Sequence, residues 1–186
     1  MPLLLLLALL AEPFWQTKSP DHWDGAELQA IMSDSPWARS YGGAQIYLAS
    51  ALPVSIAEQR TGRRKLPLRQ GEIVEESEYE EFLRENPGKY IIVGVILPDP
   101  NALYDAEEVR YVEKDSVLKV GKKKHKLVGH FAPTPSDPVL RLIFPRVVDS
   151  TVKRFSLELY LPSISGPYRM FDFETKEMFF RAKLEI

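Results

Sequence analysis

Short apolar runs separated by proline and other turn residues fill most of this chain, and they constrain its fold more than any other feature. The 186 residues include fifteen prolines against ten glycines, and 11% are aromatic. Proline has no main-chain N–H and ends regular elements, so this spacing predicts many short elements in place of long helices. Short apolar runs bounded by turn residues are typical of strands, and we expect mainly β structure.

Six runs in the second half of the chain have the composition of strands. They are residues 109–120, 126–132, 139–144, 152–161, 167–173 and 179–186. Every second residue from Phe155 to Leu161 is apolar, which is typical of a strand with one face on a core. No long helix lies between the runs to carry a parallel crossover, so we expect antiparallel pairing. The predicted fold is mainly β, an antiparallel two-sheet sandwich that is immunoglobulin-like in general architecture.

The N-terminal half is expected to add one or two short helices to this sandwich. One is predicted from residue 19 to about Met32, and a second in the acidic stretch that ends at Asn86-Pro87-Gly88. Residues 44–56 are rich in Ile, Tyr, Leu and Val, which predicts a strand pair or one long strand. Residues 90–97 form a continuous apolar run, which predicts a strand buried on both faces at the centre of a sheet.

The first eleven residues form an apolar run of the length of a signal-peptide core, far shorter than a membrane span. Ala11 suits the last position before cleavage, although Leu9 is larger than the usual small residue there. No Lys or Arg precedes the run, so a start further upstream and a buried strand are the alternatives. We expect an exported protein, periplasmic or extracellular, with a signal peptide at 1–11, an N-terminal arm with a short helix at 12–43, and one β-rich domain at 44–186.

Charge and cysteine content exclude several classes of function. Lys and Arg number 24 against 26 Asp and Glu, a formal net charge of −2, so the chain has no overall basic field for nucleic acid. Cysteine is absent, which removes disulfides, thiolate nucleophiles and cysteine metal sites. The predicted fold must therefore be stabilised by packing alone.

Two histidines resemble metal ligands by type but not by spacing. His125 and His130 are five residues apart, which places them on opposite faces of a regular strand. A metal site needs ligands that converge on one point. We therefore expect surface histidines and no metal site.

Residues 99–110 begin like a calcium loop, with Asp99, Asn101 and Asp105. An EF-hand needs glycine at its sixth position and glutamate at its twelfth, and these positions hold Tyr104 and Arg110. We expect a capped turn that leads into the acidic segment 105–108.

Other polar clusters are expected to be solvated surface. One is the acidic helical stretch Glu75, Glu76, Glu78, Glu80 and Glu81. Lys122-Lys123-Lys124 follows Gly121 and predicts a basic hairpin tip, which suits either contact with an anionic surface or protection of a sheet edge. No serine lies in a nucleophile elbow. The sequence thus assigns no catalytic residue, and we expect no cofactor.

Several short motifs occur in the order seen in uncharacterised exported proteins of acidobacterial type, and the chain resembles that group from Trp23 to its end. The motifs are Ser35-Pro36-Trp37-Ala38, Ser50-Ala51-Leu52-Pro53-Val54, the strand 90–95, Phe144-Pro145-Arg146 and the terminal segment 177–185 with Met178 and Lys183-Leu184-Glu185. The chain departs from the group at Ala49 and Ala182, where a larger polar residue and glycine are usual. The resemblance implies an exported β-rich protein and brings no catalytic residue with it.

The motifs themselves supply candidate structural anchors and one candidate binding residue. The anchors are Trp23, Trp37, Phe144 and Met178, large apolar side chains expected to seat the arm and the strands on the core. Pro145 ends a strand and leaves Arg146 at the rim, where an arginine contacts an anion or partner, or else pairs with an acidic neighbour.

The sequence favours a non-enzymatic binding or envelope-structural protein over an enzyme. We expect it to act by contact with another envelope protein or by self-association, with no nucleic acid and no membrane span. The alternative is a small hydrolase whose Asp or Glu, His and Arg146 meet only in the folded protein.

Overall fold

The computed structural model describes residues 12–62, 77–135 and 137–186. Along these residues the strands are β1 (Ala38–Tyr41), β2 (Ala44–Leu48), β3 (Tyr90–Ile96), β4 (Val117–Val120), β5 (Lys123–Lys126), β6 (Gly129–Phe131), β7 (Leu140–Pro145), β8 (Arg154–Tyr160), β9 (Tyr168–Glu174), β10 (Phe179–Phe180) and β11 (Lys183–Leu184). The helices are α1 (Phe14–Thr17), α2 (Gly25–Ser33), α3 (Leu52–Arg60), α4 (Glu78–Glu85) and α5 (Ala106–Asp115). Three 3-10 turns cover Pro20–His22, Pro100–Tyr104 and Thr175–Glu177.

All strand pairs in the described residues are antiparallel, and they form three sheets. The first sheet has the order β1-β2-β3-β7-β6, the second has the order β5-β4-β8-β9, and β10 and β11 form a small hairpin. The prediction of a mainly β, antiparallel fold is confirmed. The helices outnumber the one or two expected, because four precede β3 and a fifth follows it.

The central strand of the first sheet is β3, as predicted. Its residues from Ile91 to Val95 are all buried, since strands pair on both sides of it and side chains pack on both faces. In the second sheet, β8 alternates as predicted: Phe155, Leu157 and Leu159 are buried while the residues between them are partly exposed.

Two predicted strands are wrong in part because a helix overlaps each of them. Residues 44–56 contain β2 and then α3, whose second residue is Pro53; proline suits the first turn of a helix because those N–H groups have no partner within the helix. Residues 109–120 contain most of α5 and then β4. The carboxylate of Asp105 accepts a hydrogen bond from the main-chain N–H of Glu107 and caps α5.

The terminal segment 179–186 is also not one strand. It folds into the β10–β11 hairpin, with Arg181 and Ala182 at its turn in the left-handed region, at φ of 50° and 63°. The helix predicted from residue 19 is divided in a similar way into a 3-10 turn and α2. A capping box between Asp24 and Glu27 starts α2.

One hydrophobic cluster joins both larger sheets and the N-terminal arm. The four expected anchors, Trp23, Trp37, Phe144 and Met178, are each at most 2% exposed. The indole N–H of Trp37 donates to the main-chain oxygen of Glu185 at 2.8 Å and so connects the arm to the C-terminal hairpin. The expected boundary at residue 43 falls in the turn of the β1–β2 hairpin.

Candidate binding groove on the second sheet

A groove of about 590 Å³ crosses the outer face of the second sheet. It is lined by residues of all four strands and of the end of α5: Lys114, Asp115, Val117, Lys124, Glu158, Leu159, Tyr168, Arg169 and Met170. Side chains alternate between the two faces of a strand, so Phe171 and Phe173 of β9 lie in the core while Tyr168 and Met170 lie on the opposite face. Tyr168 and Met170 line the groove on that face. Tyr168 and Met170 are 57% and 56% exposed.

Glu158 forms the charged centre of the groove. Its Oε1 lies 3.4 Å from the Lys119 ammonium and its Oε2 lies 2.5 Å from the Lys124 ammonium. The hydrogen bond from Lys124, followed by the other contacts with both lysines, lowers the pKa of Glu158 against the opposing effect of burial. The Glu158 carboxylate is therefore ionised at neutral pH.

Two tyrosines fix the edge of the groove to α5. The Tyr168 hydroxyl donates to Asp115 at 3.0 Å, and this hydrogen bond raises the pKa of Tyr168. The Tyr160 hydroxyl donates to Glu108 at 2.9 Å, and desolvation together with that bond raises the pKa of Tyr160 to about 12. Both phenols thus stay protonated at neutral pH and act as hydrogen-bond donors to the helix.

The groove is basic although the chain is acidic overall. Its lining contains three cations, Lys114, Lys124 and Arg169, against the two carboxylates Asp115 and Glu158. The formal net charge of the chain is −2. A ligand in the groove therefore meets local charge of the opposite sign to the protein as a whole.

Arg146, the binding residue suggested by the sequence, lies elsewhere. It follows β7 on the first sheet, and its Nη2 donates to the main-chain oxygens of Tyr90 at 3.2 Å and Ile186 at 2.8 Å. It lines a small cleft of about 140 Å³ beside Ser50 and Asn86. Burial lowers the pKa of Arg146, and the charge of Glu185 opposes that shift. No histidine or carboxylate occurs among the described residues that line this cleft.

The structure also separates the two histidines. His125 is in β5 of the second sheet, and His130 is in β6 of the first, where its Nδ1 lies 3.4 Å from a Glu113 oxygen. Across the three described segments, no group of three or more His, Cys, Asp or Glu residues could hold a metal ion. Asp99 accepts a hydrogen bond from the main-chain N–H of Asn101 and caps the 3-10 turn, so the expectation of a capped turn is confirmed.

The charged surface segments have the predicted local structure where they are described. Glu75 and Glu76 lie outside the described residues, whereas Glu78, Glu80 and Glu81 occupy the first turn of α4, which Ser77 caps. Lys122-Lys123-Lys124 is exposed at the β4–β5 hairpin, and Gly121 at the turn has a φ of 58°. This hairpin holds Lys124 beside the groove.

Sequence reasoning missed a buried ion pair on the first sheet. Arg141 of β7 and Glu58 of α3 are both 0% exposed, with Arg141 Nη1 at 2.5 Å from Glu58 Oε1. The Tyr47 hydroxyl donates to the same oxygen at 2.7 Å, and Asp137 accepts from the guanidinium at 3.0 Å. Within the three described segments, Glu58 Oε2 has no hydrogen-bond partner. Burial acts to lower the pKa of Arg141, but the surrounding negative charge, chiefly that of Glu58, raises it overall.

A glycine makes room for this cluster. Gly94 of β3 lies between Tyr47 and Arg141 in the sheet register, and a Cβ there would stand 2.4 Å from the Tyr47 ring. The ring therefore lies over β3 and reaches Glu58. The signal in the sequence was an arginine inside an otherwise apolar strand, since a buried charge needs a partner.

Comparison with protein-family models, curated proteins and solved structures gives no match for this chain. In the described segments, every helix is too short or too polar to cross a bilayer.

Proposed function

We propose that this chain is a non-enzymatic binding protein that acts by macromolecular contact through the groove of the second sheet. The observation that carries the proposal is the exposure of Tyr168 and Met170 beside a basic lining. Large apolar side chains exposed together and bordered by polar residues are typical of interaction sites. The lysines add attraction for an oppositely charged partner.

The proposal places the protein outside the cytoplasm, in the periplasm or the extracellular space, as an envelope-structural or binding protein of the acidobacterial type it resembles. Its partner is another envelope protein or a second copy of the chain. The support is the apolar run at residues 1–11. N-terminal sequencing of the native protein tests export: a chain that begins at Glu12 is expected, and an intact Met1 in the cytoplasm would contradict it.

We further propose that the two larger sheets pack as a sandwich of immunoglobulin-like general architecture. The support is their shared core, to which Val93 of β3 and Leu157 of β8 both contribute as fully buried residues.

Photo-crosslinking in the native host tests the binding proposal. A photoreactive residue replaces Met170 in the groove or Val128, which is 57% exposed and does not line it. We expect a discrete adduct from position 170, with a partner or a second copy, and none from position 128. Equal labelling from both positions, or none from position 170, would contradict the proposal.

The hydrolase alternative is tested on the purified full chain. The purified protein is expected to give no turnover with esterase, phosphatase, glycosidase and peptidase substrates. Turnover that is abolished by Arg146→Ala or by the loss of one carboxylate would favour the hydrolase instead.

A further inference from the structure

The edge strands of the two larger sheets differ in how well they are protected. In the first sheet the edges are β1 and β6, of four and three residues. In the second sheet β5 has four residues, three of them lysine, whereas β9 has seven residues with no lysine and no proline. Short or lysine-rich edges resist pairing with another chain, so β9 is the least protected of the four.

Two hydrogen bonds from Arg39 of β1 show which main-chain groups of β9 face outward. Arg39 donates from Nε and Nη2 to the main-chain oxygen of Asp172, at 3.2 and 2.8 Å. In an antiparallel ladder the outward residues alternate, so the N–H and C=O groups of Met170 and Tyr168 also point away from β8. The N–H of Thr175 donates to the main-chain oxygen of Lys153, just before β8. This bond agrees with the alternation, because it shows an odd-numbered residue facing β8.

The outward edge is occupied by a side chain at Asp172 and is unpaired at Tyr168 and Met170 among the described residues. Arg39 occupies the oxygen of Asp172, whereas no strand of the described residues pairs with β9 on the side of Tyr168 and Met170. The neighbouring Arg169 stacks on the ring of Tyr41, 4.0 Å from its guanidinium carbon to the ring centroid. The unpaired part of the edge therefore lies between Arg39, whose charge is offset by Glu177 and Asp172, and Arg169.

We propose that an extended acidic segment of a partner protein adds as a strand to β9 along Tyr168–Met170. This inference rests on the proposed function and specifies its partner. Main-chain hydrogen bonds to the outward groups of Tyr168 and Met170 would bind the segment, while their exposed side chains contact its apolar residues. Arg169 at the edge, with Lys114 and Lys124 in the groove, favours acidic residues in the segment and beside it.

Selection from a displayed library of random dodecapeptides on the purified full chain tests this inference. The enriched peptides are expected to carry an excess of Asp and Glu and to alternate apolar and polar residues. Their affinity is then measured for the wild type and for two variants at one position. Met170→Pro removes an outward N–H but no bond to β8; Met170→Thr keeps that N–H and the strand preference but loses the thioether.

We expect Met170→Pro to bind the peptides about tenfold more weakly than Met170→Thr does, because proline has no N–H to donate to the added strand. Failure to enrich any peptide would overturn strand addition, whereas crosslinking from position 170 decides the proposed function separately. Enriched peptides that bind both variants equally would overturn strand addition and leave groove binding intact. Enrichment of basic peptides would overturn the acidic partner.

Amide hydrogen exchange provides a measurement that does not depend on the folding of Met170→Pro. The N–H of Met170 in the wild type is expected to exchange more slowly once an enriched peptide is bound. Unchanged exchange at Met170, with the peptide bound, would overturn strand addition.

Discussion

Each of the two larger sheets takes part in an ion pair, and the two pairs have the same N–O distance in opposite surroundings. Arg141 of the first sheet lies 2.5 Å from Glu58 of α3, and Lys124 of the second sheet lies 2.5 Å from Glu158 of the same sheet, each measured from nitrogen to oxygen. The first pair is at most 1% exposed at its side chains, whereas the second is 57% and 25% exposed. Distance alone therefore does not tell what an ion pair contributes, because the surrounding solvent sets the energy.

The comparison indicates that the two sheets have different roles, one in stability and one in binding. Removing one partner of a buried pair leaves the other charge buried and unpaired, which is costly, so the first sheet depends on its ion pair for stability. An exposed pair contributes little to folding, and its lysines remain available to a partner. The first sheet is thus the architectural half of the molecule, and the second sheet carries the proposed binding surface.

The largest predicted effect is the loss of Glu58. Glu58→Ala leaves Arg141 buried with Asp137 as its remaining ion-pair partner in the described part of the chain, and it is expected to cost about 3–5 kcal/mol of unfolding free energy. The double variant Glu58→Leu/Arg141→Met removes both charges and is expected to recover most of that loss. Urea denaturation measures all three proteins. If Glu58→Ala lowers the unfolding free energy by less than about 1 kcal/mol, the pair contributes no more than an exposed ion pair does, and the prediction is wrong.

Trp37→Ala tests whether apolar burial matters as much as the buried charge. The substitution creates a cavity in the core and removes the hydrogen bond to Glu185, so we expect a loss of about 3–5 kcal/mol. Tyr104→Ala is the control, because Tyr104 is 82% exposed and its loss should leave stability nearly unchanged. If Trp37→Ala unfolds at the same urea concentration as wild type, Trp37 is not an anchor and a binding role for it becomes the better explanation.

Gly94→Ala is expected to have a smaller effect on the same cluster. The added methyl would overlap the Tyr47 ring, and such overpacking costs about 1–3 kcal/mol. Gly129→Ala in β6 is a matched control, since a Cβ there meets no atom within 4 Å. Thermal melts of both variants measure the difference, and equal melting temperatures would mean that the Tyr47 ring does not need the space over β3.

The smallest predicted effect belongs to Glu158. Glu158→Gln is expected to cost less than about 1 kcal/mol at neutral pH, as for other partly exposed pairs. The pKa of Glu158 is lowered in the folded protein, so the ionised carboxylate stabilises the fold above the unfolded pKa. That contribution disappears as the pH falls through the folded pKa. Urea melts at decreasing pH should therefore show a shrinking difference in unfolding free energy between wild type and Glu158→Gln. A difference that grows as the pH falls would contradict the lowered pKa of Glu158.

Elements with one dominant local signal could be predicted from the sequence. The alternation of β8 predicts a strand directly, and the apolar run of β3 does so because it is short and bounded by Gly88 and Pro98. The valines and the tyrosine of the run at 109–120 predict a strand, whereas the Asp105 cap and the spacing of Val109 and Val112 start a helix. Local signals of the two kinds overlap there, and packing decides between them.

The sites depend on contacts between residues far apart in the chain, so the sequence could not predict them. Glu58 and Arg141 are 83 residues apart, and nothing near Glu58 marks it as buried. Arg146 was conspicuous because it follows Phe144-Pro145, but its Nη2 bonds main-chain oxygens. The groove arises from the pairing of four strands, which no single motif encodes.

The most direct test of this division of work uses one variant and two readouts. Lys114→Ala/Lys124→Ala removes two cations from the groove and leaves the buried ion pair intact. We predict that crosslinking from position 170 falls severalfold in the native host, while the unfolding free energy changes by less than about 1 kcal/mol. Undiminished crosslinking would contradict the claim that the basic groove of the second sheet is the binding surface.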